Sequence, residues 1–187
     1  MLKESLIENN SILLNQSAAD WKAAIKLGTD VLEKSGAIEP RYYTSIIENI
    51  EKMGPYIILA PGLAMPHSRP EEGVIKTSFA LVTLKEPVYF DGEDEPVSVF
   101  ITLAGSDSDK HMEGLMEITQ VLDDPESDTG VDLAKILRCQ TKEDVYAVID
   151  QALVARNSLS LLVSLNALTS GLSPAGGEWK KVPFKNS

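Results

Sequence analysis

The sequence predicts an α/β domain, a mixed parallel and antiparallel sheet flanked by helices. Three observations carry this expectation. Two amphipathic runs come first, three short strand-like runs follow, and helical patterns then return. The 187 residues suffice for one domain with a sizeable core. Apolar residues make up 43% of the chain and charged residues 24%, an ordinary balance for a soluble globular protein.

The first helix is expected over 17–35, "SAADWKAAIKLGTDVLEKS", with Ser17 as N-cap and Gly36 as the stop. Trp21, Ala24, Ile25, Val31 and Leu32 form its apolar stripe. A second helix follows Pro40, where Tyr43, Ile46, Ile47, Ile50 and Met53 recur at helical spacing and Gly54-Pro55 ends the run. "YIILA" (56–60) reads as a short buried strand. "TSFALVTL" (77–84) and "VSVFITLAG" (97–105) are strands rich in β-branched and aromatic residues. Between them Asp91-Gly92 marks a turn within an acidic cluster, the usual composition of a solvated loop.

A helix then spans 106–124, capped by Asp107 or Ser108, with Met112, Leu115, Met116, Thr119 and Leu122 expected to face the core. A short helix lies within 131–139. Thr141 with Asp144 forms a capping box for a helix over 142–156. The expected domain is therefore 1–156. Residues 157–187 change character, first rich in serine and leucine, then in glycine and proline. They form a tail whose leucine stripe can dock on the domain or on a second chain, so an oligomer is possible.

Composition excludes several function classes. A net charge of -11 argues against a nucleic-acid surface, which needs a basic stripe. No glycine-rich phosphate loop of the P-loop or dinucleotide type occurs, and no cofactor is called for. Cys139 is the only cysteine, which excludes an internal disulfide and a cysteine-rich zinc site. No run approaches about 18 consecutive apolar residues, and no signal peptide is visible. A cytoplasmic protein without a membrane span is expected.

Chemistry concentrates at the two histidines. "GLAMPHSRPEEGV" (62–74) places His67 on a stiff, non-helical loop, because Pro66 and Pro70 fix their own φ and push Met65 and Arg69 towards extended conformations. Such loops commonly display functional side chains. Two histidines make a poor metal site unless carboxylates complete it. A hydrolase triad needs a serine in a recognisable setting, and Ser68 merely adjoins His67 in sequence. The remaining chemistry makes His67 itself the nucleophile, since a neutral imidazole nitrogen can take a phosphoryl group and pass it on. His111, at or just beyond the first turn of a helix, can support it, because helix starts offer free N–H groups to phosphate. Arg69 can add positive charge.

The stretch "GPYIILAPGLAMPHSRPEEGV" resembles the active-site segment of the fructose/mannitol-type EIIA domain of the bacterial phosphoenolpyruvate:sugar phosphotransferase system. The Gly-hydrophobic-Ala-hydrophobic-Pro-His motif of that family is matched by Gly62-Leu63-Ala64-Met65-Pro66-His67. Its second histidine, at the start of a later helix, is matched by His111 in "DKHMEGLMEI". The likeness spans about residues 1–155, and the Gly54-Pro55-Tyr56 lead-in with Ser-Arg-Pro-Glu-Glu-Gly after the histidine looks most like the ascorbate-specific branch.

The resemblance implies a phosphocarrier with a phosphohistidine intermediate. His67 would accept phosphate from HPr and donate it to a cysteine of EIIB, which serves the membrane component EIIC. His111 would support transfer, with Ser68 and Arg69 near the phosphate and no metal. Ser68 also fits the small residue that commonly follows the family histidine. One departure stands out: mannitol-type members carry an arginine before the active histidine, and the comparable place here is around Glu51. A regulatory module built on the same domain is the alternative reading.

Overall fold

The computed structural model describes residues 1–169. Its elements are α1 (Leu2–Glu8), β1 (Ile12–Gln16), α2 (Trp21–Lys34), α3 (Pro40–Met53), β2 (Ile58–Ala60), β3 (Leu63–Ala64), β4 (Ser78–Val88), β5 (Val97–Ala104), α4 (Ser108–Leu122), α5 (Ala134–Leu137) and α6 (Lys142–Thr169). Among the described residues the strands form a five-stranded sheet in the order β1-β4-β5-β3-β2. β1 runs parallel to β4, β4 antiparallel to β5, β5 parallel to β3, and β3 antiparallel to β2. The expected mixed sheet flanked by helices is what forms.

Side-chain alternation along the central strands builds a core on each face. Ala80, Val82 and Phe100 join Trp21 and Ile25 of α2 and Tyr42 and Ile46 of α3. Phe79, Leu81, Ile101 and Leu103 point to the other side, against Leu6 of α1, Ile118 of α4 and Val145 of α6. Strands buried on both faces read as continuous apolar runs, which explains why β4 and β5 stood out in the sequence.

Several expectations need correction. The cap of α2 is Asp20, whose side chain accepts from the Ala23 N–H at 2.8 Å, and Ser17 lies outside the helix. The inner face of α3 is Tyr42, Ser45, Ile46 and Ile50, while Met53 is exposed. Residues 56–60 form no buried strand. β2 covers only 58–60 at the sheet edge, with Leu59 exposed. On α4 the buried residues are Gly114, Ile118, Val121 and Leu122, whereas Met112 and Met116 are 53% and 57% exposed and Thr119 is exposed. The glycine lets this helix lie close to the sheet, since a Cβ at residue 114 would sit 2.7 Å from Leu103. That close approach selects the face. α1 and β1 were not foreseen.

The expected capping box at α6 is present, with Thr141 N–H donating to Asp144 at 3.1 Å and Asp144 N–H to the Thr141 hydroxyl at 3.2 Å. The helix does not stop at 156 but continues to Thr169. It is the one helix among the described residues long and apolar enough, by length and composition, to cross a membrane. Serines and asparagines interrupt its apolar run, so a search for consecutive apolar residues passes it by. Core helices share that length and composition, and Val145 and Ile149 of α6 are core residues. The rest of the expected tail, 170–187, lies outside the described residues.

Candidate functional site

Gly62 starts the His67 loop with a φ of 86°, a left-handed conformation that glycine adopts without strain. Two short parallel rungs, Leu63 with Val99 and Ala64 with Phe100, then lead the chain alongside β5. The same spacing puts His67 opposite Leu103. Indeed the Leu103 N–H donates to the Pro66 carbonyl at 3.0 Å, as a parallel ladder would continue.

The His67 ring is fixed by its own loop. Its Nδ1 lies 2.7 Å from the Met65 carbonyl. A carbonyl can only accept, so Nδ1 carries the proton and Nε2 keeps its lone pair. The Tyr56 hydroxyl donates to the His67 carbonyl, and the two rings meet edge to face at 5.2 Å. Burial pushes the His67 pKa down, only partly opposed by the bond to Met65.

His111 comes from the other side. The Asp107 carboxylate accepts from the Lys110 N–H at 2.8 Å and starts α4, so His111 is the fourth helical residue. Its ring centroid is 5.2 Å from that of His67. Gly105 makes this approach possible, because a Cβ there would lie 2.7 Å from the His111 Cα. The His111 Nδ1 is buried without a hydrogen-bond partner among the described residues. This favours placing the proton on Nε2, which avoids an unsatisfied buried donor. Burial first, and then the neighbouring His67, lower the His111 pKa. Both rings are therefore neutral at pH 7.

The pair opens on a hollow of about 360 Å³ between α3, the His67 loop and the start of α4. Arg69 lies at its edge, exposed, just ahead of a 3-10 turn over Pro70–Glu72. Ser68 is placed differently from expectation. It is 6% exposed, its hydroxyl is 2.6 Å from that of Ser45, and it accepts from the Asn49 amide at 3.2 Å. Its N–H donates to the Tyr42 hydroxyl at 3.0 Å. With these groups engaged, Ser68 anchors the loop rather than presenting a phosphate contact.

Glu51, which the sequence reading set against the family arginine, pairs with Lys22 at 2.5 Å. The α3 polar side chain in the hollow is Asn49. The sequence reading missed Tyr42, Asn49, Tyr56 and Gly105. The available signal was the helical spacing of Tyr42, Ser45 and Asn49, overshadowed by the more apolar stripe beside it. Among the described residues no group of three or more His, Cys, Asp or Glu side chains could hold a metal ion.

Comparisons with known proteins identify the family. The sequence pattern of the family described as "Phosphoenolpyruvate-dependent sugar phosphotransferase system, EIIA 2" matches residues 5–152. The ascorbate-specific PTS system EIIA component of Shigella boydii serotype 4 (strain Sb227) is 47% identical over 152 residues, covering 80% of this chain and 96% of that protein. The crystal structure of a PTS IIA protein (PtxA) from Streptococcus mutans is 41% identical, with a TM-score of 0.73 over 81% of this chain and 94% of that one. The mannitol-specific cryptic phosphotransferase enzyme IIA CmtB of Escherichia coli is 32% identical, with a TM-score of 0.69 over 81% and 99%. The chain is a member of the EIIA type 2 family of the phosphoenolpyruvate-dependent sugar phosphotransferase system.

Proposed function

We propose that this chain is the cytoplasmic EIIA phosphocarrier of an ascorbate-type uptake system, working through a phosphohistidine at His67. The Nε2 lone pair attacks the phosphorus of phospho-HPr. A P–N bond forms at His67 as the donor's P–N bond breaks, and the electron pair of that bond returns to the HPr imidazole. In the second transfer a cysteine thiolate of EIIB attacks the same phosphorus, and the pair of the breaking bond returns to Nε2. EIIC takes part only indirectly, at the membrane.

No bound nucleotide is needed, so the protein's work is alignment and stabilisation of the phosphoryl oxygens. His111 is the neutral donor beside the transferred group, and Arg69 adds charge from the edge of the hollow. The observation that carries this reading is the Nδ1 bond to Met65, which leaves Nε2 as the free nucleophile next to His111. The ascorbate assignment rests on the 47% identical relative.

The test is labelling with phosphoenolpyruvate, enzyme I and HPr. Wild type should gain one acid-labile phosphate, His67→Ala none, and His111→Ala should accept it but pass it to EIIB more slowly. Label persisting in His67→Ala would overturn the assignment.

A further inference from the structure

We propose that the Tyr42 hydroxyl is a positioning group for phosphoryl transfer, inserted as a bridge in the sheet ladder opposite His67 so that it sets the separation of the two histidine rings. This rests on the reading of His67 as the phosphorylated residue. The ladder geometry supplies the argument. A residue in a parallel ladder receives one bond on each side of its partner position. Opposite His67 that residue is Leu103. Its N–H reaches the Pro66 carbonyl directly at 3.0 Å. The matching bond, from the Ser68 N–H to the Leu103 carbonyl, is not made directly. The Tyr42 oxygen accepts from Ser68 at 3.0 Å and donates to Leu103 at 2.7 Å.

The tyrosine therefore props the loop away from β5 on the C-terminal side of His67. Its side chain is 0% exposed, so packing holds the oxygen in place. Leu103 is two residues ahead of Gly105, whose backbone is the seat of His111. Tyr42 thus links the two histidines through one short piece of β5. The other ties on the loop, from Tyr56 to the His67 carbonyl and from the Met65 N–H to Ile57, refer it to the segment around β2 instead.

Removing the hydroxyl leaves two ways out. Ser68 and Leu103 bond directly, or both lose a partner. Either way His67 moves relative to His111, and a displacement near 1 Å costs about 10²-fold in a reaction that depends on alignment.

Tyr42→Phe keeps the ring in the core and tests this. The expected result is a 10- to 100-fold lower kcat for phosphate acceptance from phospho-HPr, by the same alignment argument, with KM unchanged because the docking rim is untouched. The imidazole NMR signals of His67 and His111 should both shift. Val145→Ala, a cavity in the opposite core layer, serves as the stability control and should keep the wild-type rate at a comparable loss of Tm. In wild type, the Ser68 amide should be protected from hydrogen exchange, a measurement that does not depend on the variant folding. A wild-type rate in Tyr42→Phe, a rate loss matched by Val145→Ala, or an unprotected Ser68 amide each overturns the inference. If wild type itself takes no label at His67, the phosphohistidine reading fails instead, and the imidazole signals and amide protection still decide the role of Tyr42.

Discussion

At the scale of single residues, the candidate site centres on a neutral imidazole with a defined tautomer. The Met65 carbonyl sets the tautomer of His67, and burial keeps it neutral. The pH dependence has a worked sign. Free histidine titrates near about 6.5, and His67 and His111 in the fold both titrate lower. Below about 6.5 the unfolded chain therefore binds protons that the native chain resists, and stability falls as pH drops through the native values. Above that range these two groups make no pH-dependent contribution. Phosphate acceptance should accordingly persist to more acid pH than a free imidazole would allow. Thermal melts should show a smaller acid-side loss in His67→Gln than in wild type. A loss as large in the variant, together with a rate that tracks free histidine, would contradict the burial argument.

Secondary-structure elements place these residues by close contact. α4 starts where Asp107 caps it, and its fourth residue rests on the backbone of Gly105. Gly105→Ala introduces a Cβ 2.7 Å from His111 Cα and 2.8 Å from its N. Backbone atoms cannot rotate aside, so the start of α4 has to move. The expected cost is about 1–3 kcal/mol in stability, with slower phosphate transfer. A melt and the labelling assay check both, and a variant with wild-type Tm and rate would show that α4 has slack. On α3, Tyr42, Ser45 and Asn49 each bond Ser68, while the Tyr42 ring also packs in the core. That polar seam ties α3 to the His67 loop.

For the molecule as a whole, the family match ends before α6 does. The family pattern stops at residue 152, and α6 continues past it to Thr169. Val145 and Ile149 complete the core, with Ala152 and Leu153 packed partly against it. Beyond them Arg156 pairs with Asp123 at 2.7 Å, both ends half exposed, a contact of less than about 1 kcal/mol. Leu159, Leu161, Leu162, Leu165 and Leu168 are exposed. A chain ending at residue 156 should therefore fold, keep its Tm within a few degrees and accept phosphate at the full rate. Loss of the fold on that truncation would show that the extension belongs to the domain.

The mixed sheet, both central strands, α3 from Pro40 to Met53, a cap for α4 at Asp107 or Ser108 and the His67 loop were legible in the sequence, because each depends on local chemistry: periodicity, prolines that fix φ, and capping side chains. The motif around His67 was legible for the same reason, being one continuous segment. What the tertiary structure decided depends on residues far apart in the chain. Met112 and Met116 look like core residues by spacing, yet contact with β5 selects the Gly114–Ile118 face and leaves both methionines exposed. Ser68 looks like a phosphate contact by adjacency, yet α3 draws its hydroxyl inward. Tyr42 and Leu103, 61 positions apart, meet at 2.7 Å only when α3 packs on the sheet. Local rules fix which elements form, whereas the choice between two adjacent faces of a helix is made by the surface that covers it, and that surface exists only after folding.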